Sequence, residues 1–263
     1  MFTIFGHTGF LGSNLVKYLK KSKIFLPKRN KFIFKHNLGD IIYCIGSDDW
    51  KNDIFNSFNA NLGFIPTIIE KNNFKSFTFI SSCRIYNNST TNNETSHFKF
   101  DPTDREEFYN LKKVLAENYL FASKKKIKIA RVSNIVGFSP KSPLVFPMFV
   151  KNAINKKKII ISINKNSTKD FIHIDDVVKM IAKISIKGKE NVYNIASGNN
   201  IKLIDLAENI KKIIKCKIVL KNQNKFVFEP KININKIKKE FNFKSKNIFE
   251  NLNKVLGEYK NNF

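Results

Sequence analysis

The first twelve residues constrain the fold of this chain more than any other segment. An apolar run, Phe2–Phe5, leads directly into Gly6, Gly9 and Gly12. A strand that ends on Gly6 can turn tightly, Gly9 lets the backbone approach a pyrophosphate, and Gly12 lets the next helix pack closely on the strand. The N–H groups that begin this helix would face the phosphates. The spacing therefore predicts a dinucleotide site, formed by Gly6, His7, Thr8, Gly9, Phe10, Leu11 and Gly12.

The glycines alone leave a second interpretation open, an ordinary turn between a strand and a helix. The residues that follow favour the dinucleotide site, because Leu15, Tyr18 and Leu19 have the spacing of one helix face. Strand, glycine turn and helix thus follow one another in the order that such a site requires.

Apolar runs alternate with helical patterns along the rest of the chain. We predict strands at residues 2–5, 24–26, 40–45, 76–80, 127–132 and 192–195, and helices at 11–20, 53–71, 104–123, 175–186 and 203–214. This alternation is typical of an α/β protein, in which helices cover both faces of a parallel sheet. Residues 28–39 are too few for two full β-α units, so we expect one unit there to be reduced to a loop or a short strand. Pro66 should kink the second helix.

Charge limits the partners of this chain. The formal net charge of +26 raises the hypothesis of nucleic-acid binding. The lysines are, however, spread among many Asn and Ile residues, which favours a solvated basic surface over a specific nucleic-acid interface. Such a surface still attracts anionic substrates.

Cysteine content and hydropathy limit the compartment. Cys44, Cys83 and Cys216 are odd in number, widely spaced and set in apolar segments, so we expect reduced thiols and neither disulfides nor a metal site. The first strand begins at once, which leaves no room for a signal peptide, and no apolar run is long enough to span a bilayer. We therefore expect a cytoplasmic protein without a membrane partner.

Two further patterns carry candidate chemistry. Tyr109 and Lys113 are four residues apart on the helix predicted at 104–123, so they share one face. A nearby ammonium lowers the pKa of a phenol, which suits a general acid/base, although a chain so rich in lysine yields such a pair by chance. The strand predicted at 76–80 is followed by Ser81 and Ser82, whose hydroxyls lie at the sheet edge where α/β proteins bind ligands.

Taken together, eight segments in this order resemble the extended short-chain dehydrogenase/reductases, the NAD(P)-dependent epimerase/dehydratase family that acts on nucleotide sugars. The segments are residues 6–12, 40–47, 61–63, 81–86, 109–117, 131–137, 169–176 and 193–198. The resemblance implies a Rossmann-type doubly wound parallel sheet with a small C-terminal substrate-binding domain. It places the dinucleotide-binding domain at 1–136 and 168–197, and the substrate-binding domain at 137–167 and 198–263.

The resemblance also assigns roles. It implies that Tyr109 is the general acid/base, that Lys113 lowers its pKa and binds the nicotinamide ribose, and that Ser82 hydrogen-bonds the reacting oxygen. Charge developing on that oxygen during hydride transfer would be stabilised by two O–H groups. Further cofactor-binding residues would be Lys28, Arg29, Cys44, Ile45, Gly46 and Asn61, and substrate-binding residues would be Cys83, Arg84, Asn134 and Lys169. A homodimer through the helices at 53–71 and 104–123 is expected, with Phe58, Phe64, Ile68, Leu115 and Leu120 on its interface.

Departures from the family pattern refine the expected reaction. Cys83 and Arg84 replace the acidic pair of the dehydrating members, which argues against dehydration. Lys28 and Arg29 stand where an acidic residue often binds the ribose of NAD, so we expect NADP to be preferred, with NAD possible. Reduction of a 4-keto sugar is slightly favoured over a 4-epimerase that holds its cofactor tightly. A catalytically idle dinucleotide sensor or scaffold is a third alternative, and nucleic-acid binding a fourth.

Overall fold

In the computed structural model, which describes residues 1–46, 51–87, 89 and 92–262, the chain forms a parallel sheet flanked by helices. The strands are β1 (Phe2–Phe5), β2 (Ile24–Phe25), β3 (Asp40–Tyr43), β4 (Ser76–Ser82), β5 (Ile127–Val132), β6 (Asn134–Val136), β7 (Lys158–Ile161), β8 (Thr168–His173), β9 (Val192–Ile195), β10 (Asn200–Lys202) and β11 (Lys217–Leu220). The helices are α1 (Phe10–Tyr18), α2 (Ile54–Phe58), α3 (Ile65–Lys71), α4 (Phe108–Ala122), α5 (Val145–Lys156), α6 (Ile174–Lys187), α7 (Leu203–Ile213), α8 (Asn235–Phe241) and α9 (Leu252–Lys260).

The main sheet has the strand order β2-β1-β3-β4-β5-β9 within the described residues, and each neighbouring pair is parallel. The α/β class and the Rossmann-type sheet are thereby confirmed. From β1 the chain first extends the sheet to one side, through β2, and then crosses back to the other side, through β3. The carboxyl ends of β1 and β3 consequently border the crevice in which such sheets bind ligands.

The reduced β-α unit is confirmed as a loop. Residues 26–39, between β2 and β3, contain neither helix nor strand. Phe32 stacks on Phe5 at 6.3 Å between ring centroids, and Phe34 meets Phe25 edge-on at 5.1 Å. The Asn72 side chain fixes the loop, because its Oδ1 accepts from the Phe34 N–H and its Nδ2 donates to the Phe32 carbonyl. The loop thus covers part of the sheet where a helix would otherwise lie.

The second predicted helix is broken, as the proline suggested. It consists of α2, a π-helical turn at Asn59–Gly63, and α3. Pro66 lies in the first turn of α3, where its missing N–H costs no hydrogen bond. The break leaves Asn61 within the π-helical turn, a local geometry that often marks functional sites.

A second hydrophobic core lies away from the main sheet. Two small sheets, β10-β8-β6 and β11-β7, pack with α5, α7 and α9 around residues such as Phe149, Leu206 and Leu256. By contrast, Ile237 of α8 belongs to the core beneath the main sheet. Among the residues described, no helix is long and apolar enough to cross a membrane.

Of the five apolar residues expected at the dimer interface, Phe64 is half-buried and stacks on Phe32 at 4.4 Å between ring centroids, and the other four divide into two groups. Ile68 and Leu120 are fully buried in the core of the single chain, so their placement on an interface was wrong. Phe58 and Leu115 are exposed. The exposed apolar residues of this region are Ile54, Phe55, Phe58, Leu115 and Phe121.

Candidate active site

The glycine turn after β1 has the geometry that the sequence predicts. Gly6 has φ +80°, and a Cβ on it would lie 2.7 Å from backbone atoms of Cys44 and Ile45. A Cβ on Gly12 would lie only 2.2 Å from the Gly6 carbonyl oxygen, so α1 can approach the turn only with glycine there. The Gly9 N–H donates to the Gly6 carbonyl at 3.0 Å and closes the turn. The positive end of α1 thus faces the mouth of the crevice.

A cavity of about 880 Å³ opens above this turn. That volume falls within the range of small-molecule and cofactor sites, so the site fits the adenine-nucleotide part of a dinucleotide. Phe10, Leu11, Gly12, Asn61 and Lys113 were also predicted to bind the cofactor but do not line the cavity. The predicted residues that line it are Gly6, His7, Thr8, Gly9, Lys28, Arg29, Cys44, Ile45 and Gly46. Ser47 is the last residue of segment 40–47, one of the eight that resemble the family, and it lies outside the described residues.

The cavity wall carries charges of both signs. Lys28 and Arg29 are exposed on the turn after β2. Asp53, which the sequence analysis missed, also lines the cavity and caps α2 by accepting from the Asn56 N–H at 3.0 Å. Hydrogen bonds from Asn56 lower the pKa of the Asp53 carboxyl. The cavity wall therefore carries two cations together with a carboxylate whose lone pairs are partly engaged by Asn56.

Lys113 connects the helix α4 to the end of β4. Its Nζ donates to the Ile80 carbonyl at 2.9 Å and lies 4.9 Å from the Phe79 ring centroid. Burial raises the pKa of the Cys44 thiol to about 12, and the Lys113 charge opposes that rise. The ammonium of Lys113 is thus close enough to act electrostatically on a residue of the cavity wall.

Tyr109 lies one turn before Lys113, beside the 3₁₀ turn that follows β4. The Arg84 guanidinium is 5.3 Å from the Tyr109 ring centroid, and the Arg84 N–H donates to Ser82 Oγ at 3.2 Å. Arg84 therefore contacts both hydroxyl residues that were predicted to act on the reacting oxygen: Tyr109 through its guanidinium and Ser82 through its backbone N–H. Its neighbour Cys83 is buried, which raises the pKa of the thiol and keeps it neutral.

A second lysine near Tyr109 escaped the sequence analysis. Lys112 is 2 % exposed, its Nζ donates to Ser57 Oγ, and it lies 5.0 Å from the Tyr109 ring centroid. Asn61 joins the same cluster, because its Nδ2 donates to the Ser57 carbonyl at 2.9 Å. Its buried Oδ1 has no hydrogen-bond partner among the described residues, and it lies behind Gly46 on the cavity wall.

Two of the predicted substrate-binding residues, Asn134 and Lys169, meet at one carboxylate. Lys169 forms an ion pair with Glu229, and Asn134 Nδ2 donates to the same carboxylate at 3.1 Å. Glu229 is far from both in sequence, and a lone glutamate in a lysine-rich segment gave no signal. No group of three or more His, Cys, Asp or Glu side chains could hold a metal ion within residues 1–46, 51–87, 89 and 92–262.

Sequence comparisons agree with this geometry. The family model of the NAD dependent epimerase/dehydratase family matches residues 56–196, more than half of the chain. A dTDP-D-glucose 4,6-dehydratase from Dictyostelium discoideum is 26% identical over an alignment of 273 residues, which covers 82% of this chain and 62% of the relative. This chain thus spans less than two thirds of that relative. A dTDP-4-dehydro-6-deoxyglucose reductase from Escherichia coli is 27% identical over 219 residues, covering 77% and 67%.

A structural comparison supports the fold. The UDP-glucose 4-epimerase of Thermotoga maritima, solved with UDP-glucose, superimposes with a TM-score of 0.82 at 18% identity and covers 99% of both chains. The family match extends from α2 to the end of β9, so it includes both the Tyr109–Lys113 helix and the end of β4. The resemblance inferred from the sequence is confirmed, and the chain belongs to the NAD dependent epimerase/dehydratase family.

Proposed function

We propose that this protein is an NAD(P)-dependent enzyme that modifies a nucleotide-activated sugar by hydride transfer at a sugar carbon. The observation that carries the proposal is the placement of Tyr109 and Ser82 around Arg84, at the sheet edge that also bears the glycine turn. A dinucleotide cavity alone would suit a sensor or scaffold. A tyrosine, a lysine and a serine hydroxyl at one end of that crevice favour an enzyme.

The residues on α4 and β4 would have different roles in the reaction. When bound in the crevice, the nicotinamide ring would supply or accept the hydride. Tyr109 Oη would give a proton to the sugar oxygen, or take one from it, while Ser82 Oγ donates a hydrogen bond to the same oxygen. Lys113, whose Nζ is held by the Ile80 carbonyl, would favour the phenolate and contact the ribose. Asn134 and Lys169 would hold the diphosphate.

Reduction of a 4-keto sugar is the reaction that the site favours. A dehydrating enzyme needs an acid and a base beside the hydroxyl residue, whereas this chain offers a neutral thiol and a guanidinium there, Cys83 and Arg84. Lys28 and Arg29 on the cavity wall favour NADP(H), the cofactor suited to a reduction in which it dissociates after one hydride transfer. A 4-epimerase, which keeps its cofactor through an oxidation and a reduction, is the second candidate, since the same three residues serve it.

A panel of candidate substrates, incubated with the protein and each cofactor, tests this function directly. The protein is incubated with nucleotide sugars and with 4-keto nucleotide sugars, each with NADPH, NADH, NADP⁺ or NAD⁺, and the products are identified by NMR. We expect a 4-keto sugar to be reduced with stoichiometric oxidation of NADPH. Interconversion of two sugars without net cofactor turnover would identify an epimerase, and no product from any substrate would favour a sensor or scaffold.

We also propose a homodimer, through the exposed apolar side chains of α2 and α4. Phe55 and Leu115 are among the large apolar residues that water contacts in the single chain, and a second copy would bury them. Light scattering at micromolar concentration tests the dimer, and Leu115→Glu should shift it to a monomer.

A further inference from the structure

Glu229 occupies a central position among the groups proposed to hold the diphosphate of the substrate. Its carboxylate pairs with Lys169, and the two side chains are only 13% and 16% exposed. The negative charges of Asp170 and Glu229 add to the burial that raises the pKa of the Cys83 thiol, so the carboxylate also lies near the end of β4. Glu229 is thus a partly buried anion inside the proposed substrate site.

While Glu229 is in place, the side-chain amide of Asn134 has no N–H left to donate to a second anion. Its Nδ2 carries two hydrogens, of which one goes to the Asp170 carbonyl at 2.9 Å and the other to Glu229 Oε2 at 3.1 Å. Lys169 gives its shortest contact to the other carboxylate oxygen, Oε1. A phosphate that binds both residues must therefore take over the bonds that Glu229 now accepts.

The backbone around Glu229 is held firmly, so only its side chain is free to move. The Glu229 N–H donates to the Thr168 carbonyl at 3.3 Å, and Asn200 Nδ2 donates to the Glu229 carbonyl at 2.5 Å. Two residues earlier, the Val227 N–H donates to Ser167 Oγ, and the Val227 carbonyl accepts from the N–H of Thr168, the first residue of β8. Rotation of the side chain releases the carboxylate without opening the fold.

We propose that the Glu229 carboxylate is a resident anion in the diphosphate site, and that a nucleoside diphosphate binds by displacing it from Lys169 and Asn134. The inference rests on the proposed function, which assigns the diphosphate to these two residues. Before substrate binds, the carboxylate compensates a partly buried ammonium whose isolation would be costly. A diphosphate carries more charge than a carboxylate and spans both donors, so it displaces Glu229. Its net affinity is lower than it would be for the same site without the carboxylate.

Equilibrium binding of UDP and of dTDP, measured by calorimetry on the full-length protein, tests the exchange. Glu229→Gln keeps the size and an oxygen that accepts from Lys169, but it removes the competing charge. We expect the variant to bind at least one of the two nucleotides at least threefold more tightly than the wild type, with the affinity for NADPH unchanged. Glu208→Gln is the matched control, because it removes an equally charged group from an exposed ion pair with Lys211 and should leave all affinities unchanged.

Three results would overturn the proposal. If the wild type binds UDP or dTDP and Glu229→Gln binds it equally or more weakly while its melting temperature is unchanged, Glu229 supports the site and does not compete for it. If Glu208→Gln tightens binding as much as Glu229→Gln, the effect comes from net charge. If no form of the protein binds UDP or dTDP, the assignment of the diphosphate to Asn134 and Lys169 fails, and both the proposed function and this inference fail with it.

Discussion

The glycine turn after β1 and the charged cluster around Lys169 are proposed to hold the two reactants of one reaction, but they are built differently. The turn is made of backbone, and its shape depends on the absence of side chains at Gly6 and Gly12. The cluster is made of long charged side chains from β8 and from a loop 60 residues further along the chain. The shape of the first region is set by close backbone contacts, whereas the second must rearrange if a diphosphate is to replace Glu229. Substitutions at the dinucleotide end should therefore disturb the backbone, whereas substitutions at the substrate end should change which substrate binds.

Gly12→Ala is expected to have the largest effect, because α1 lies too close to the turn at this position for any side chain. The new Cβ would lie 2.2 Å from the Gly6 carbonyl oxygen, which belongs to the backbone and cannot rotate away. We expect a loss of stability of about 1–3 kcal/mol or more and a fall in cofactor affinity of at least about tenfold. Thermal unfolding and a fluorescence titration with NADPH measure the two effects.

Gly257→Ala is the matched control for this prediction. Gly257 lies within α9, and a Cβ there would meet nothing within 4 Å. Alanine favours a helix interior over glycine by about 0.5–1 kcal/mol, so this variant should be slightly more stable than the wild type. Equal behaviour of the two variants would contradict the close approach of α1 to the turn.

Ser82→Ala examines the substrate end of the crevice. It removes one of the two hydroxyls proposed to act on the sugar oxygen, and the loss of one such donor costs about 10²–10³ in kcat. The neighbouring Ser81→Ala serves as a contrast. Ser81 Oγ donates to Glu117 at 2.5 Å beneath the sheet edge, so its loss should lower the melting temperature more than the rate. A larger rate loss for Ser81→Ala than for Ser82→Ala would contradict the assignment.

The double variant Lys28→Ala, Arg29→Ala sharpens the account of the cofactor. Both cations line the cavity and are exposed, so each contact with a 2′-phosphate is expected to be modest. We expect the preference for NADPH over NADH to fall by about tenfold, while NADH binding changes little. Lys20→Ala, Lys21→Ala removes two cations that do not line the cavity, and it should leave the preference intact. Equal affinities for the two cofactors in the wild type would contradict the assignment directly.

A smaller effect is expected from the histidine that begins α6. Burial lowers the pKa of His173, and its neutral Nδ1 accepts from the Asp175 N–H at 3.2 Å. The unfolded chain therefore takes up a proton more readily than the folded one, and stability falls as the pH drops below the unfolded pKa of about 6.5. His173→Asn keeps a capping group but does not titrate. The fall in melting temperature between about pH 7.5 and about pH 5.5 should be smaller in this variant, by at most roughly a few degrees.

The sequence predicted best what the backbone alone decides. β1, β5 and β9 have the predicted bounds, because short apolar runs between turn residues specify buried parallel strands. β3 ends at Tyr43, two residues early, since Cys44 and Ile45 leave the sheet to form the cavity wall. The second helix is divided because its Asn-Leu-Gly segment adopts a π-helical turn before Pro66. Local patterns of glycine and proline therefore predict where strands and helices end, to within a residue or two.

The same reading missed the charged partners at the substrate end. Glu229 meets Lys169 and Asn134 only through the fold, and Lys112, although it lies three residues after Tyr109 on α4, reaches Ser57 only through the fold. In a chain with 47 Lys and Arg residues, no spacing distinguishes the lysines that bear on the site from those that face solvent. Such pairs are visible only once the strands and loops are placed.

Turnover by Tyr109→Phe is the most direct test of the central claim, that the end of β4 and the start of α4 transfer a proton beside a dinucleotide site. The substitution removes only the phenolic hydroxyl, so NADPH affinity should stay within about twofold of the wild type, while kcat on the sugar identified by the NMR panel should fall by at least about 10³. Asn118→Ala, at an exposed position on the same helix outside the apolar residues of the proposed dimer interface, provides the control for folding. If Tyr109→Phe retained more than roughly a tenth of the wild-type kcat with intact cofactor binding, proton transfer by Tyr109 would be contradicted.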